Sequence, residues 1–288
     1  MSAMPPICIT VLAHNEEAQI AACLNSLPLG AADVVIHVVV NGSTDRTADI
    51  ARGIADRASN ILVHDWAEGG KARSWNRFLF GTLPDFHQVH VFVDGDAEIA
   101  RGSVAALAAA LAAQPEANAA SGLPLNGRKV AFYQEAIRRD HGLFGDLYAL
   151  SGDFLRRMKA QGIRLPDDVV GDDGLVCAMA KTDLGSEADW NDARVTVCEG
   201  AGFLCAPVSL LRPASWAMQY RRMISYSIRH FQNGLITKIM RDTGPVGLPE
   251  RLASLYAAGL ATVRPRPVLP TWWFDRLALA RMRAHAGL

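Results

Sequence analysis

Asp94 and Asp96 stand two residues apart, directly after the apolar run VHVFV at Val89–Val93. Side chains at i and i+2 of an extended segment point to the same side. The intervening Gly95 lets a ligand approach the backbone closely. Paired hard oxygen ligands at a strand end suit Mg2+ or Mn2+ bound together with phosphates. Asp-Gly is also a common turn dipeptide, and spacing alone leaves both readings open. A second acidic pair lies in Val169-Val170-Gly171-Asp172-Asp173-Gly174-Leu175. A carboxylate there can serve as a general base if it is held beside an acceptor hydroxyl. Equally, the pair can cap a helix and supply its first-turn acid. Gln219-Tyr220-Arg221-Arg222-Met223 opens a helical stretch near Trp216 and Tyr226. An arginine fork there suits a diphosphate, and a solvated helix face is the alternative.

These groups need elements to carry them. Ile7–Leu12, Val34–Val40, Ile61–His64 and Val89–Val93 are short, near-continuous apolar runs. Between them, Glu17–Leu27, Asp45–Ala58 and Lys71–Phe80 have helical spacing. Buried strands alternating with helices predict an α/β fold with a mostly parallel sheet covered on both faces. Ligands in such sheets sit beyond the carboxyl ends of the strands. His14-Asn15-Glu16-Glu17, Asn41-Gly42-Ser43-Thr44-Asp45 and Asp94-Gly95-Asp96 all fall at those ends, which predicts one shared site. Downstream, helices are expected over Ser103–Ala113, Lys129–Arg139, Phe154–Ala160 and Pro213–Gly234. Late strands are expected at Val195–Val197 and Phe203–Cys205, and a helical stretch near Leu252–Ala261.

Composition narrows the class. The chain has 288 residues, enough for one large domain or two small ones, and half of them are apolar. Lys+Arg and Asp+Glu number 29 each, so the basic excess of a general nucleic-acid binder is missing. The five cysteines are scattered without a CxxC pair, which reads as free thiols in a reducing compartment rather than a zinc ribbon. The N-terminus makes a poor signal peptide, and no apolar stretch is long enough to span a bilayer. Glu68-Gly69-Gly70-Lys71-Ala72 is not a P-loop, because Asp65 and Ala72 occupy required Gly and Ser/Thr positions.

In their order along residues 6–232, these pieces resemble family 2 glycosyltransferases of the GT-A fold. Ala13–Glu17 is similar to the opening P-x-x-N-E-E segment. Asn41-Gly42-Ser43-Thr44-Asp45-Arg46-Thr47 resembles D-D-G-S-x-D-x-T, and Gly70–Asn76 resembles G-K-x-x-A-x-N. Asp94-Gly95-Asp96 resembles the metal-binding D-x-D. Gly145-Asp146-Leu147-Tyr148-Ala149 is similar to a G-x-x-Y/F-A segment beside the acceptor. Gly171-Asp172-Asp173 resembles the segment holding the base, and Gln219–Met223 resembles Q-x-x-R-W.

The resemblance implies a GT-A catalytic domain over 1–240, with residues 1–100 for the donor and 101–240 for the acceptor. Residues 241–288 would be a helical C-terminal extension. It implies a nucleoside-diphosphate sugar as donor, an acceptor hydroxyl on a glycan or lipid-linked molecule, and an inverting displacement in polysaccharide biosynthesis. The implied donor and metal residues are Asn15, Glu16, Glu17, Asn41, Ser43, Asp45, Lys71, Asn76, Asp94, Asp96, Gln219 and Arg222. Asp94 and Asp96 would hold Mg2+ or Mn2+. Asp173 would be the base, with Asp172 as its rival. The alternatives from other classes are a non-catalytic nucleotide-sugar binder or scaffold, and a nucleotidyltransferase on a related fold.

The sequence departs from the pattern at several points. Val40 and Asn41 replace two acids, His14 replaces an aromatic, and Met223 replaces the final Trp. His141 and His230 are minor candidates for a metal or acceptor contact. The segment 246–288 carries six arginines together with Trp272, Trp273 and Phe274. Arginines beside aromatics fit a surface helix touching anionic lipid, and packing against the catalytic domain is the alternative. The expected location is the cytoplasm, peripherally at the inner membrane face.

Overall fold

The computed structural model describes residues 6–206 and 213–287. The four apolar runs become strands β1 (Ile7–Ala13), β2 (Val34–Asn41), β3 (Ile61–Trp66) and β4 (Val89–Asp94). They pair in parallel in the order β3-β2-β1-β4. Leu12 lies opposite both Val39 and Asp94, so the carboxyl ends of these strands finish at one edge. Four further strands complete an eight-stranded sheet: β5 (Ala97–Ile99), β6 (Ala119–Pro124), β7 (Leu147–Ser151) and β8 (Val195–Cys205). β7 runs antiparallel to β4, with Leu147 opposite Val93. The residue just before β7, Asp146, therefore lies beside Asp94, and the Asp94 amide donates to its carbonyl at 3.3 Å.

The strands alternate their side chains between two cores. Ile9, Val11, Val38 and Val91 face α1 (Ile20–Ser26), α2 (Thr47–Ala55) and α4 (Ser103–Ala113). Cys8, Leu12, Val39 and Phe92 face the other layer. That layer holds α3 (Lys71–Arg77), α6 (Gly152–Ala160), α7 (Asp172–Lys181) and α8 (Pro213–Asp242). Between β6 and β7 runs α5 (Val130–Asp140), burying only Ile137. Trp75, Phe92 and Tyr148 stack in series beneath the β4 end, with ring centroids 5.7 and 4.9 Å apart.

Beyond α8, helices α9 (Ala253–Gly259) and α10 (Thr271–His285) return onto it. Leu252, Tyr256, Leu260, Ala278, Leu279 and Met282 join the same core as Ile224 and Phe231. Both carboxylate oxygens of Asp168 accept backbone amides, from Leu252 and Ala253, at the start of α9. α8 continues past Gly234, because one mid-helix glycine costs only about 1 kcal/mol against a long buried face. Among the described residues no helix is long and apolar enough to cross a membrane. The five cysteines are free thiols.

Candidate active site

Lys71, Asp94 and Asp96 line a cleft of about 540 Å3 at the carboxyl edge of the parallel strands, with Leu12, His14, Glu16, Asn41, Gly69 and Gly70. Asp94, Asp96 and Asp146 bring carboxylate oxygens within 4.8 Å of one another, an arrangement that can hold a metal ion. Three hard anionic ligands fit Mg2+ or Mn2+. No metal-binding motif in the sequence includes Asp146. Its place follows from the antiparallel β7, whose sequence LYALS gives little strand signal of its own.

Electrostatics within the cleft favour a cation. Burial pushes Asp94 up to about 8, with Asp146 and Asp172 adding to the effect against the opposing Lys71. Asp146 is likewise raised, by burial and by Asp96. Glu16 is pushed up to about 7 by burial and then by Asp96 and Asp45, despite Arg222. Burial opposes the charge on Lys71, but Asp172 and Asp94 outweigh it and hold its pKa well above the ordinary lysine value. The Lys71 ammonium sits 2.6 Å from Asp94 and 3.7 Å from Asp172. One lysine thus faces a crowd of carboxylates, which a divalent ion would relieve.

The loops at the strand ends are tied to each other. Ser43 Oγ accepts the Asn15 amide at 3.0 Å, and Asn15 Oδ1 accepts the Thr44 amide at 2.8 Å. Asp45 accepts the Thr47 and Glu17 amides, and Glu17 accepts the Arg46 amide. Asn41 donates to the Ala13 carbonyl and accepts from Gly70, joining β1 to the loop before α3. These side chains chiefly hold the backbone of the loops beside the cleft. His14 lines the cleft where the family pattern has an aromatic. Its Nδ1 lies 2.7 Å from the Asn41 carbonyl, which can only accept, so Nδ1 carries the proton.

Asn76 does not join them. Its amide is spent on the backbone of Leu165 and on Asp167, and it is buried away from the cleft. The sequence pattern placed it at the donor, whereas its hydrogen bonds make it a tie between α3 and the segment before α7. Gln219 lines a separate groove between α8 and α10, while Arg222 on the same helix lies close enough to Glu16 and Asp146 to influence both. His141 points Nδ1 at the Val195 carbonyl, 2.8 Å away, and His230 is exposed beside Phe231. Neither belongs to the Asp94, Asp96 and Asp146 cluster.

The two rival acids occupy different environments at the start of α7. The Asp172 side chain is 7% exposed and faces Lys71. That of Asp173 is 19% exposed and lies 3.3 Å from Arg229. Gly171 and Gly174 leave the room this arginine needs, since a methyl group at Gly174 would sit 2.7 Å from its Nη2. Arg229 falls outside every sequence motif, and only the packing of α8 on α7 reveals it.

Gly95 answers to packing as well. A methyl group there would lie 2.8 Å from Ala13 Cβ and 3.1 Å from its Cα. Gly95→Ala is therefore expected to cost about 1–3 kcal/mol, the range for overpacking a tight site. It should also displace Asp94 and Asp96. Thermal unfolding and Mn2+ titration of the variant check both effects.

The mixed sheet, with a carboxylate-lined cleft at the ends of its parallel strands, is the architecture this chain shares with solved GT-A glycosyltransferases. Residues 8–182 match the family described as Glycosyl transferase family 2, and the chain belongs to that family as a glycosyltransferase. Among curated protein sequences none matches it. Solved structures share the fold. The mannosyltransferase PcManGT of Pyrobaculum calidifontis, in complex with GDP-Man and Mn2+, matches at a TM-score of 0.60 and 20% identity, over 98% of this chain and 76% of that one. S. aureus TarS with UDP-GlcNAc matches at 0.55 and 16%, over 97% and 81%. Glucosyl-3-phosphoglycerate synthase of Mycobacterium tuberculosis, with Mn2+, UDP-glucose and phosphoglyceric acid, matches at 0.52 and 20%, over 78% and 79%.

Proposed function

We propose that the protein transfers a sugar, with inversion, from a nucleoside-diphosphate sugar to a hydroxyl of a glycan or lipid-linked acceptor. The observation that carries this reading is the cluster of three carboxylates at the strand-end cleft. Support for Asp173 comes from Gly145, where an added methyl group would lie 3.7 Å from Asp173 Cβ, 3.4 Å from Lys71 Nζ and 3.7 Å from Asp94 Oδ2. The similar structures that hold Mn2+ with GDP-Man or UDP-glucose support the donor class. Residues 1–100 serve the donor and 101–240 the acceptor, with 241–288 as a helical extension. The setting is the cytoplasm, peripherally at the membrane, in polysaccharide biosynthesis.

Asp94, Asp96 and Asp146 would hold Mg2+ or Mn2+, which when bound neutralises charge on the leaving diphosphate. Arg222 adds positive potential on the same side. Asn15, Ser43, Asp45, Glu17 and Asn41 fix the loops against which the nucleotide lies. Asp173 takes the proton of the acceptor hydroxyl while that oxygen bonds the anomeric carbon. The bond from that carbon to the diphosphate oxygen breaks on the opposite face. Asp172, buried against Lys71, has less access to an acceptor, and this favours Asp173 as the base.

Asp173→Asn tests the assignment. Loss of a general base costs about 10²–10⁴ in rate. Nucleoside-diphosphate release in the presence of acceptor should fall by that factor, while nucleotide binding with Mn2+ is kept. Near-normal transfer in the variant would remove Asp173 from the role.

A further inference from the structure

The first turns of α8 and α10 meet at an apolar groove lined by Trp216, Gln219, Tyr220, Arg221, Met223 and Phe274. Phe274 is only half-buried and packs edge-on against Tyr220, with ring centroids 5.6 Å apart. Its neighbours are left at the surface. Leu269 is 77% exposed, Val268 62% and Trp273 50%, and Trp272 is exposed beside them. A branched pair followed by two indoles at the head of one helix forms a projecting apolar hook.

Its charge is one-sided. α8 has no Asp or Glu before Asp242. The acid of α10, Asp275, is fully buried and accepts three hydrogen bonds from Arg266. Arg221 and Arg264 are exposed on these segments, and the Arg276 guanidinium lies 4.8 Å over the Trp272 ring. Neither helix therefore offers an exposed carboxylate at this end to repel an anionic surface. Arg222, one residue from Arg221, lies within electrostatic reach of Glu16 and Asp146, so the start of α8 beside the hook adjoins the active-site cleft.

We infer that this end of the molecule docks on an anionic lipid bilayer. Val268, Leu269, Trp272 and Trp273 enter the headgroup boundary, and Arg221, Arg264 and Arg276 contact lipid phosphates. The docked cleft then opens close to the bilayer, which specifies a membrane-borne acceptor. That last step rests on the transfer reaction proposed above, whereas the docking does not.

The test is co-sedimentation of the full chain with vesicles of phosphatidylcholine alone, or with about one third phosphatidylglycerol. The chain should pellet with the anionic vesicles only. Trp272→Ala/Trp273→Ala should lower partitioning about tenfold or more, and Arg264→Glu about fivefold or more. Val268→Ser/Leu269→Ser is the variant for which folding is not at issue, since both side chains are largely exposed, and it too should weaken binding. Donor binding, read as a nucleotide-induced rise in melting temperature, should be unchanged in that variant. Failure of the docking is thus distinguishable from failure of the transferase reading. Several results would overturn the inference: no pelleting with either vesicle, equal pelleting with both, or pelleting untouched by all three variants. A dimer that the same variants dissociate, without vesicle binding, would assign the hook to a second copy of the chain.

Discussion

Asp96→Ala is expected to reduce sugar transfer by about 10²–10³, the scale on which one preorganised stabiliser of transition-state charge acts. Asp94 and Asp146 remain, but two carboxylates alone bind a divalent ion less tightly and hold it less well placed. The same substitution should leave unfolding unchanged or slightly raise its temperature. Asp96 adds to the crowding that drives up Asp146 and Glu16, so its removal relieves repulsion in the metal-free protein. Activity lost with stability kept is the expected pair of results, measured by product release and by calorimetry. Full activity in the variant would sink the metal assignment, and a large loss of stability would make Asp96 a structural residue.

The second large effect lies under the sheet, away from the cleft. His37 and His64 face each other across β2 and β3 with ring nitrogens 2.9 Å apart, and Phe78 packs against both. Burial, with His64 and His87 nearby, lowers His37 to about 4. Burial, with His87, lowers His90 to about 3. A histidine whose pKa falls on folding leaves the unfolded chain holding the extra proton at acid pH. Stability is therefore intact above about 6.5 and is lost as pH drops toward the folded-state values. His37→Phe isolates this contribution. At pH 7.5 the variant should be about 1 kcal/mol less stable, for the lost hydrogen bond. Below that, the wild type loses about 1.4 kcal/mol per pH unit under 6.5, so the order should reverse near pH 6. By pH 4.5 the variant should lead by about 2 kcal/mol. Melting temperatures of both proteins across this range check it, and parallel curves would show that His37 titrates normally. The raised Asp94 and Glu16 pull the other way between pH 4 and 8, so the comparison is between the two proteins rather than within one.

The parallel half of the molecule was legible because β1, β2 and β4 are buried almost throughout and read as near-continuous apolar runs, with β3 the more exposed edge. The other half was not, for a physical reason. β6 reads AASGLP and β7 reads LYALS, which become strands only by pairing with β4 and β8. The pieces Val195–Val197 and Phe203–Cys205 are one strand, because Gly200, Ala201 and Gly202 interrupt its hydrophobic pattern without breaking it. The polar strand ends did converge on one cleft, as expected from the rule for parallel sheets. Asp146 and Arg229 were hidden because antiparallel pairing and helix packing bring them in across long stretches of chain. Asn76 misled for the opposite reason. It sits in a motif, yet its amide serves the backbone of Leu165. Among the C-terminal aromatics, Phe274 turns toward Tyr220 while the two tryptophans stay at the surface.

The proposed reaction requires the Asp94, Asp96 and Asp146 cluster to bind a divalent ion together with a nucleoside diphosphate. The most direct measurement is thermal unfolding with UDP, GDP, dTDP and CDP, each with and without Mn2+, on the wild type and Asp96→Ala. At a ligand concentration about 100 times its Kd, binding adds about 2.7 kcal/mol to the folded state, a clear rise in melting temperature. That rise is expected for one nucleotide class, only with Mn2+, and only in the wild type. A rise of equal size without metal, or in the variant, would contradict it, as would no rise with any nucleotide.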